Sequence, residues 1–517
     1  MSLMRSAAVV GGMTIISRIL GFVRDVLIAA VLGTGLVADA FFVAFRFPNL
    51  FRRLFAEGAF NSAFVPLFAK RLEGEGEAQA RRFGEEVLSV LTFTLIVFTV
   101  IAEIFMPLLV YLLAPGFVDN PEKFDLAVMF TRIAFPYLLF MSLVAFLSGV
   151  LNSLGRFAAA AAAPILLNVV LISLLVLAAF VSNKQQIGYL LVWGVSLAGF
   201  LQLLMLVIAA RRGGMIFRLR RPRLTPGVKR LITLGIPGVI AGGITQINIM
   251  IGTIIASLQD GAVSFLYYAD RIYQLPLGVI GIAIGVVLLP EIARQLRSGR
   301  DNAAGASQNR AMEFSMLLTL PAAVALVVIP EPILMVLFER GAFSNEATVA
   351  TAYALMAFAF GLPAFVLNKI FSPGFFARED TKTPMHFAGV AMAVNVAASL
   401  ALFPYFQHVG IAMATSLAGW INVVLLAITL YRRGHFNVDQ RLKARLTIYM
   451  LSAVCMGAAL WGLDQFISPL IVASGALYEK IFLLLALIVA GMVVFFGLCN
   501  ITGAFKFSEI RGLLRRS

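Results

Sequence analysis

Charge is scarce in this chain. Of its 517 residues, 13% are Asp, Glu, Lys or Arg and 61% are hydrophobic, with a mean hydropathy of +0.94. That balance excludes a soluble globular domain and identifies a polytopic membrane protein. Acid is scarcer than base: 26 Asp and Glu face 41 Lys and Arg, a formal charge of +15. The basic residues sit in short loops between apolar runs, not on a face interleaved with aromatic platforms, so no nucleic-acid partner is expected. There are two cysteines, Cys455 and Cys499, both inside apolar segments. They exclude a disulfide framework, and core packing is the expected role. The three histidines, His386, His408 and His435, are far apart and lack the i, i+4 spacing of helical metal sites, so neither a metal nor a cofactor is expected. The front of the chain also lacks the short apolar core and small-residue cleavage site of a signal peptide, and Arg18 would interrupt such a core. The first helix is therefore expected to be retained.

What the chain does have is apolar runs long enough to cross a bilayer. With about 20 residues per crossing, about fourteen helices are expected near 6–33, 36–69, 83–113, 124–152, 158–182, 187–211, 226–257, 261–295, 308–337, 346–376, 384–404, 409–433, 443–467 and 477–503. The fold class is thus all-α and membrane-spanning. Pro48, Pro276 and Pro363 mark the second, eighth and tenth spans as candidates for bent or broken helices. The connections alternate in charge. One set is rich in cations, for example Arg156, the run Arg211 to Arg230, and Arg294 to Arg310. The other is acidic or sparse, with Asp119, Glu122, Asp260, Glu331, Glu339 and Glu346. The bias of cations toward the cytoplasm puts both termini there, Arg515 and Arg516 included.

A repeat is visible at a nearly constant offset. Pro66-x-x-Ala69-Lys70 recurs as Pro290-x-x-Ala293-Arg294, 224 residues on, and Pro107 with Gly116 recurs as Pro332 with Gly341, 225 on. Two pseudo-repeated six-helix lobes are expected, 1–222 and 225–437, followed by an extra helix pair and tail at 441–517. An even number of helices per repeat gives both copies one orientation, around an axis along the membrane normal. The basic linker from Arg211 to Arg230 is expected to anchor at anionic lipid.

The polar residues within these apolar runs carry the functional reading. Arg18 and Arg24 interrupt the run from Ala7 to Leu32, where a guanidinium at the bilayer centre costs roughly 2.5–3.5 kcal/mol on insertion scales. At about 100° per residue, Arg18 and Asp25 project on nearly one face and Arg24 is turned about 120° from Arg18, so both arginines cannot face lipid. Asn49, Arg52 and Arg53 cluster just after Pro48, beside Asp39, Arg46 and Glu57. In the eighth span, Ser264, Tyr267, Arg271 and Gln274 form a polar stripe beside Asp270. Internal pairing of Asp39 with an arginine and of Asp270 with Arg271 is the alternative to ligand binding, and water-reaching rim positions are the alternative for Arg46 and Arg53. Cations outnumber acids in these spans. Guanidinium forks suit phosphate, so the expected ligand is an anionic, phosphorylated amphiphile in a central cavity.

Several ordered motifs carry a family resemblance. Ser17-Arg18-Ile19-Leu20-Gly21-Phe22-Val23-Arg24-Asp25, Asp39-Ala40-Phe41-Phe42-Val43-Ala44-Phe45, Pro48-Asn49-Leu50-Phe51-Arg52-Arg53 and Phe55-Ala56-Glu57-Gly58-Ala59-Phe60 resemble the N-terminal signature of the MurJ/MviN lipid II flippases. Tyr267-Tyr268-Ala269-Asp270-Arg271 and Pro373-Gly374-Phe375-Phe376-Ala377-Arg378 with Asp380-Thr381-Lys382-Thr383-Pro384 resemble it too. The resemblance implies the multidrug/oligosaccharidyl-lipid/polysaccharide exporter fold and a transporter, not an enzyme. Its activity would be the movement of undecaprenyl-diphosphate-linked muropeptide, lipid II, from the cytoplasmic to the periplasmic leaflet of the bacterial inner membrane for peptidoglycan synthesis. It implies substrate-binding roles for Arg18, Arg24, Asp39, Asn49, Arg52, Ser264 and Arg271, with Ala29, Asp25, Arg53, Tyr267, Asp270 and Gln274 as further cavity-lining candidates. It implies a lipid-tail groove on the last two spans, and membrane lipids and cell-wall synthesis proteins as partners.

Two departures stand out. Gln274 occupies a site where some relatives have glutamate, and 226–257 and 384–404 contain no Asp or Glu for the sodium site of some members. Sodium coupling is therefore doubtful and membrane potential the expected driver. Competing expectations are a flippase for another polyprenyl-diphosphate-linked oligosaccharide, which shares the diphosphate, and a drug antiporter, which would need cavity carboxylates. A polyprenyl-processing enzyme would need a metal-binding acid cluster that the sequence lacks.

Overall fold

The computed structural model describes residues 3–51, 53, 60–178 and 180–505, and statements of absence refer to these residues. They form helices and connecting turns, with no strand among them. By compactness the chain divides into two units, Met1–Ser264 with Gly341–Phe343, and Phe265–Arg340 with Ser344–Ser517.

The first unit holds α1 (Leu3–Leu32), α2 (Leu36–Phe51), α3 (Asn61–Gly74), α4 (Glu77–Ile104), α5 (Met106–Leu113), α6 (Pro121–Ala134), α7 (Tyr137–Ser153), α8 (Phe157–Ala178), α9 (Lys184–Arg212) and α10 (Pro226–Ala256). It also takes in the first turn of α11 (Ala262–Arg297). The second unit holds the rest of α11, then α12 (Asp301–Val328), α13 (Pro330–Leu337), α14 (Asn345–Phe376), α15 (Lys382–Arg432), α16 (Gln440–Ala473) and α17 (Leu477–Ile501). Compactness divides the chain after Ser264, whereas the lobes expected at 222 and 225 rest on repeated prolines and glycines.

Nine helical segments among the described residues are long and apolar enough to cross a membrane, α6 and α7 together forming one of them, Pro121–Ser153. Another, α15, contains two expected spans. Its backbone breaks at Gln407 (φ 51°, ψ −134°), and a Cβ on Gly410 would lie 2.8 Å from the carbonyl carbon of Leu402, so the chain folds back on itself there. None of the three helices is broken at its proline: they run on through Pro48, Pro276 and Pro363. Interruptions fall instead at Phe105, ahead of Pro107, and at Ile329, ahead of Pro330 and Pro332. At a helix start the missing amide of proline leaves no bond unmade, so a new helix begins there readily.

Many large apolar side chains are exposed, as a bilayer requires. α17 buries a single stripe, Leu484, Leu487, Gly491, Phe495 and Cys499, while Phe482, Val493 and Ile501 stand exposed. Cys455 is exposed on α16, contrary to its expected core role. In lipid an apolar side chain gains little from burial, so hydrophobicity no longer reports inside from outside.

Candidate functional site

In the first unit the polar residues of α1 and α2 resolve into two separate networks. α1 and α8 pack against each other through an amide. Asn168, one of the few polar residues of α8, donates from Nδ2 to the Ser17 carbonyl (2.9 Å) and accepts at Oδ1 from Arg24 Nη1 (3.0 Å). Arg24 also donates to Asp25 Oδ1 from Nε (3.0 Å) and Nη2 (2.7 Å), and its guanidinium lies 5.9 Å from the Phe45 ring centre. Arg24 and Asp25 are both buried, so the ion pair sits where removing one partner would strand the other. Arg18 is exposed. The shared azimuth of Arg18 and Asp25 therefore did not give them a shared environment. Seven residues separate them by about 10 Å along the axis, and Asp25 is buried against Arg24 while Arg18 is exposed.

The second network centres on Asp39, in the first turn of α2, whose side chain is fully buried. Its Oδ2 accepts from Lys123 Nζ (2.8 Å) and the Gly261 amide (2.9 Å), and its Oδ1 accepts from the Ser264 amide (3.0 Å) and Ser264 Oγ (2.5 Å). The carboxylate thus satisfies amides that the first turn of α11 leaves without helical partners. Lys123 also donates to Asp260 Oδ1 (2.9 Å) and lies 4.4 Å from the Phe117 ring centre. It occupies the third position of α6, behind the Asn120 cap. A cation there opposes the helix dipole, and the two carboxylates supply the compensation. Asp39 was expected at the substrate, with pairing to an arginine as the alternative. Here it pairs with Lys123, a residue not among the expected site residues.

Close backbone approaches flank this network. A Cβ on Gly116 would lie 2.3 Å from the Ser257 carbonyl oxygen, and one on Gly341 2.3 Å from that of Ala30. Gly341 has φ +59°, and its neighbour Ala342 donates its amide to the Ala30 carbonyl (2.8 Å), satisfying the last turn of α1. Gly116 donates its amide to Ser257 Oγ (3.1 Å). The two glycines separated by 225 residues in sequence make the same kind of contact.

The other candidates are placed as follows. Ala29 is fully buried, and Asn49 donates from Nδ2 to the Phe45 carbonyl of its own helix (3.2 Å). Arg46 is half-buried and donates to Thr253 Oγ1 of α10 (2.7 Å). Arg53 is exposed, and Arg52 and Glu57 lie outside the described residues. In the second unit, Arg271 stands 4.7 Å from the ring centre of buried Tyr267, and Gln274 donates to Asp270 one turn before it.

Comparison with known proteins decides the family. The family model for lipid II flippase MurJ matches residues 28–479. The chain is 52% identical over 518 residues to a protein of Rhizobium meliloti named "Probable lipid II flippase MurJ", covering 100% of this chain and 97% of that one. It is 33% identical over 524 residues to the "Lipid II flippase MurJ" of Burkholderia cenocepacia, with 99% of each covered. The chain belongs to the lipid II flippase MurJ family.

Among solved structures, one of lipid II flippase MurJ in an inward closed conformation superposes with a TM-score of 0.79 at 23% identity, covering 95% of this chain and 98% of that chain. An inward-facing multidrug MATE transporter of the MOP superfamily gives 0.61 at 14%, covering 82% and 98%. At those identities the likeness concerns the fold. The family match begins at residue 28, so it takes in Ala29, Asp39, Asn49, Ser264 and Arg271 but not Arg18, Arg24 or Asp25, which the Rhizobium alignment covers. Two residues of this family member's networks were missed from sequence: Lys123, and Asn168. The signal for Asn168 was a lone amide in an otherwise apolar helix, since such groups in a membrane seek partners.

Proposed function

We propose that this protein moves lipid II from the cytoplasmic to the periplasmic leaflet of the bacterial inner membrane, by alternating exposure of a cationic binding region to the two sides. The observation that carries the reading is the arginine-bearing first helix in a chain of this family: Arg18 exposed, and Arg24 buried and held by Asp25 and Asn168. Arg18 is the freer of the two to engage a diphosphate, because its guanidinium has kept its access. Arg24 is oriented by two fixed acceptors, which pre-sets its geometry. Arg52, Asn49 and Arg271 are assigned to the same substrate by their motifs. Asp39 and Ser264 are assigned a different part in this conformation. Sealed by Lys123, Gly261 and one another, they hold α2, α6 and the start of α11 together.

The remaining assignments belong to this reading. The chain crosses the bilayer fourteen times with both termini cytoplasmic, in two six-helix lobes with an extra helix pair that takes the prenyl tail. Membrane potential drives the cycle, without sodium, and no chemical step is catalysed. Membrane lipids and cell-wall synthesis proteins are its partners.

The test is Arg18→Ala in cells depleted of the native protein, with leaflet accessibility of lipid II as the readout. A charge-assisted hydrogen bond is worth about 1.5–3 kcal/mol, so translocation falls about 10- to 150-fold while insertion and fold are kept. Undiminished translocation by this variant would overturn the diphosphate assignment.

A further inference from the structure

A groove of about 760 Å³ opens on the first unit where the ends of α7, α8 and α9 meet. That volume lies within the range in which proteins hold small ligands. Its walls are apolar, with Leu151, Leu166, Leu204 and Ile208 among them, and one end carries Arg156 and Arg212. Leu204 and Ile208 are exposed, so the groove is open to its surroundings along its length. Arg156 donates from Nη1 to the Arg212 carbonyl (3.0 Å), which caps the end of α9 and brings the two residues to one place. Both guanidinium groups are exposed, and neither has a carboxylate partner among the described residues. The first turn of α8 lines the same end through Phe157 and Ala158, and its dipole adds to the attraction for an anion. None of the residues assigned to lipid II lines this groove.

A water-soluble anion would leave the leucine wall uncovered, and a neutral lipid would leave two arginines without a counter-charge. We infer that the groove is a site for an anionic diacyl phospholipid, its phosphate held by Arg156 and Arg212 and an acyl chain laid along Leu151, Leu166, Leu204 and Ile208. Both arginines belong to the cation-rich connections, so the site draws on the cytoplasmic leaflet. Basic pockets between membrane helices on that side are suited to anionic head groups.

The full chain in mixed micelles is offered phosphatidylglycerol and phosphatidylcholine of matched acyl chains, and retained lipid is counted by native mass spectrometry. The wild type retains phosphatidylglycerol in preference. Taking about 1 kcal/mol per basic side chain, the preference drops about fivefold in Arg212→Gln and about 30-fold in Arg156→Gln/Arg212→Gln. Leu204→Trp, which fills the groove and leaves the α9 cap intact, loses retention of both lipids. A photoreactive phosphatidylglycerol labels 151–166 and 201–212. An unchanged preference in the double variant, or labelling elsewhere, overturns the assignment. So does displacement of phosphatidylglycerol from the groove by undecaprenyl diphosphate, which would give the groove to a prenyl chain. Failure here leaves the lipid II reading untouched, because that reading is tested at Arg18.

Discussion

Lys123→Met is the most informative single change. The side chain keeps its length and loses its charge, so Asp39 stays fully buried with three of its four donors, the Gly261 amide and the Ser264 amide and hydroxyl. Breaking one side of a buried ion pair costs about 3–5 kcal/mol. The remaining donors offset part of this, since each hydrogen bond to a charged group contributes about 1.5–3 kcal/mol. A net loss near 3 kcal/mol is therefore expected, felt where α2, α6 and the α10–α11 turn meet. The readout is hydrogen exchange of the Gly261 and Ser264 amides, both bonded to Asp39. Local opening becomes about 10²-fold more frequent if its free energy falls by that amount. Asp39→Asn should produce a comparable change, and the double variant should fall well short of the sum, because the two side chains share one interaction. Unaltered protection of both amides in Lys123→Met, or strict additivity in the cycle, would refute the account of Lys123 as the counter-charge of Asp39.

Gly116→Ala and Gly341→Ala each place a methyl 2.3 Å from a carbonyl oxygen, so both should lower thermal stability in detergent by about 1–3 kcal/mol equivalent. Gly341→Ala should be the worse of the two because its φ of +59° adds strain, and a wild-type melting temperature for either would contradict the packing described. In the connection after α14, hydrogen bonds from the Thr383 hydroxyl and amide, then Arg433, hold the Asp380 carboxyl at about 2. A depressed pKa contributes stability above the ordinary carboxylate value that disappears as pH falls toward 2. Acid titration of unfolding should therefore lose part of its slope between about pH 4 and pH 2 in Asp380→Asn, and an identical profile would count against that role.

Much of this was legible in the chain itself. Membrane residence follows from composition, because no soluble fold can bury so many apolar residues with so little charge to cover them. The helical segments follow from run length, and the arginines of α1 stand out because a guanidinium in hydrocarbon demands an explanation. The family is legible because its motifs are long and ordered. The partners of those polar groups were another matter. Helical azimuth put Arg18 and Asp25 on one face, but burial depends also on depth and on which neighbour arrives, and Asn168 arrives at Arg24. The alternative weighed for Asp39 was a nearby arginine, yet distance selects partners, and the fold brings Lys123 to it from 84 residues away. Cys455 shows the same limit from the other side: where the solvent is lipid, an apolar residue carries no instruction to be inside. The sequence by itself determined that this is a multi-pass helical protein of a diphosphate-handling family. Which charges neutralise one another and which remain exposed was decided by tertiary structure, because ion pairing falls off over a few ångströms that no linear spacing records.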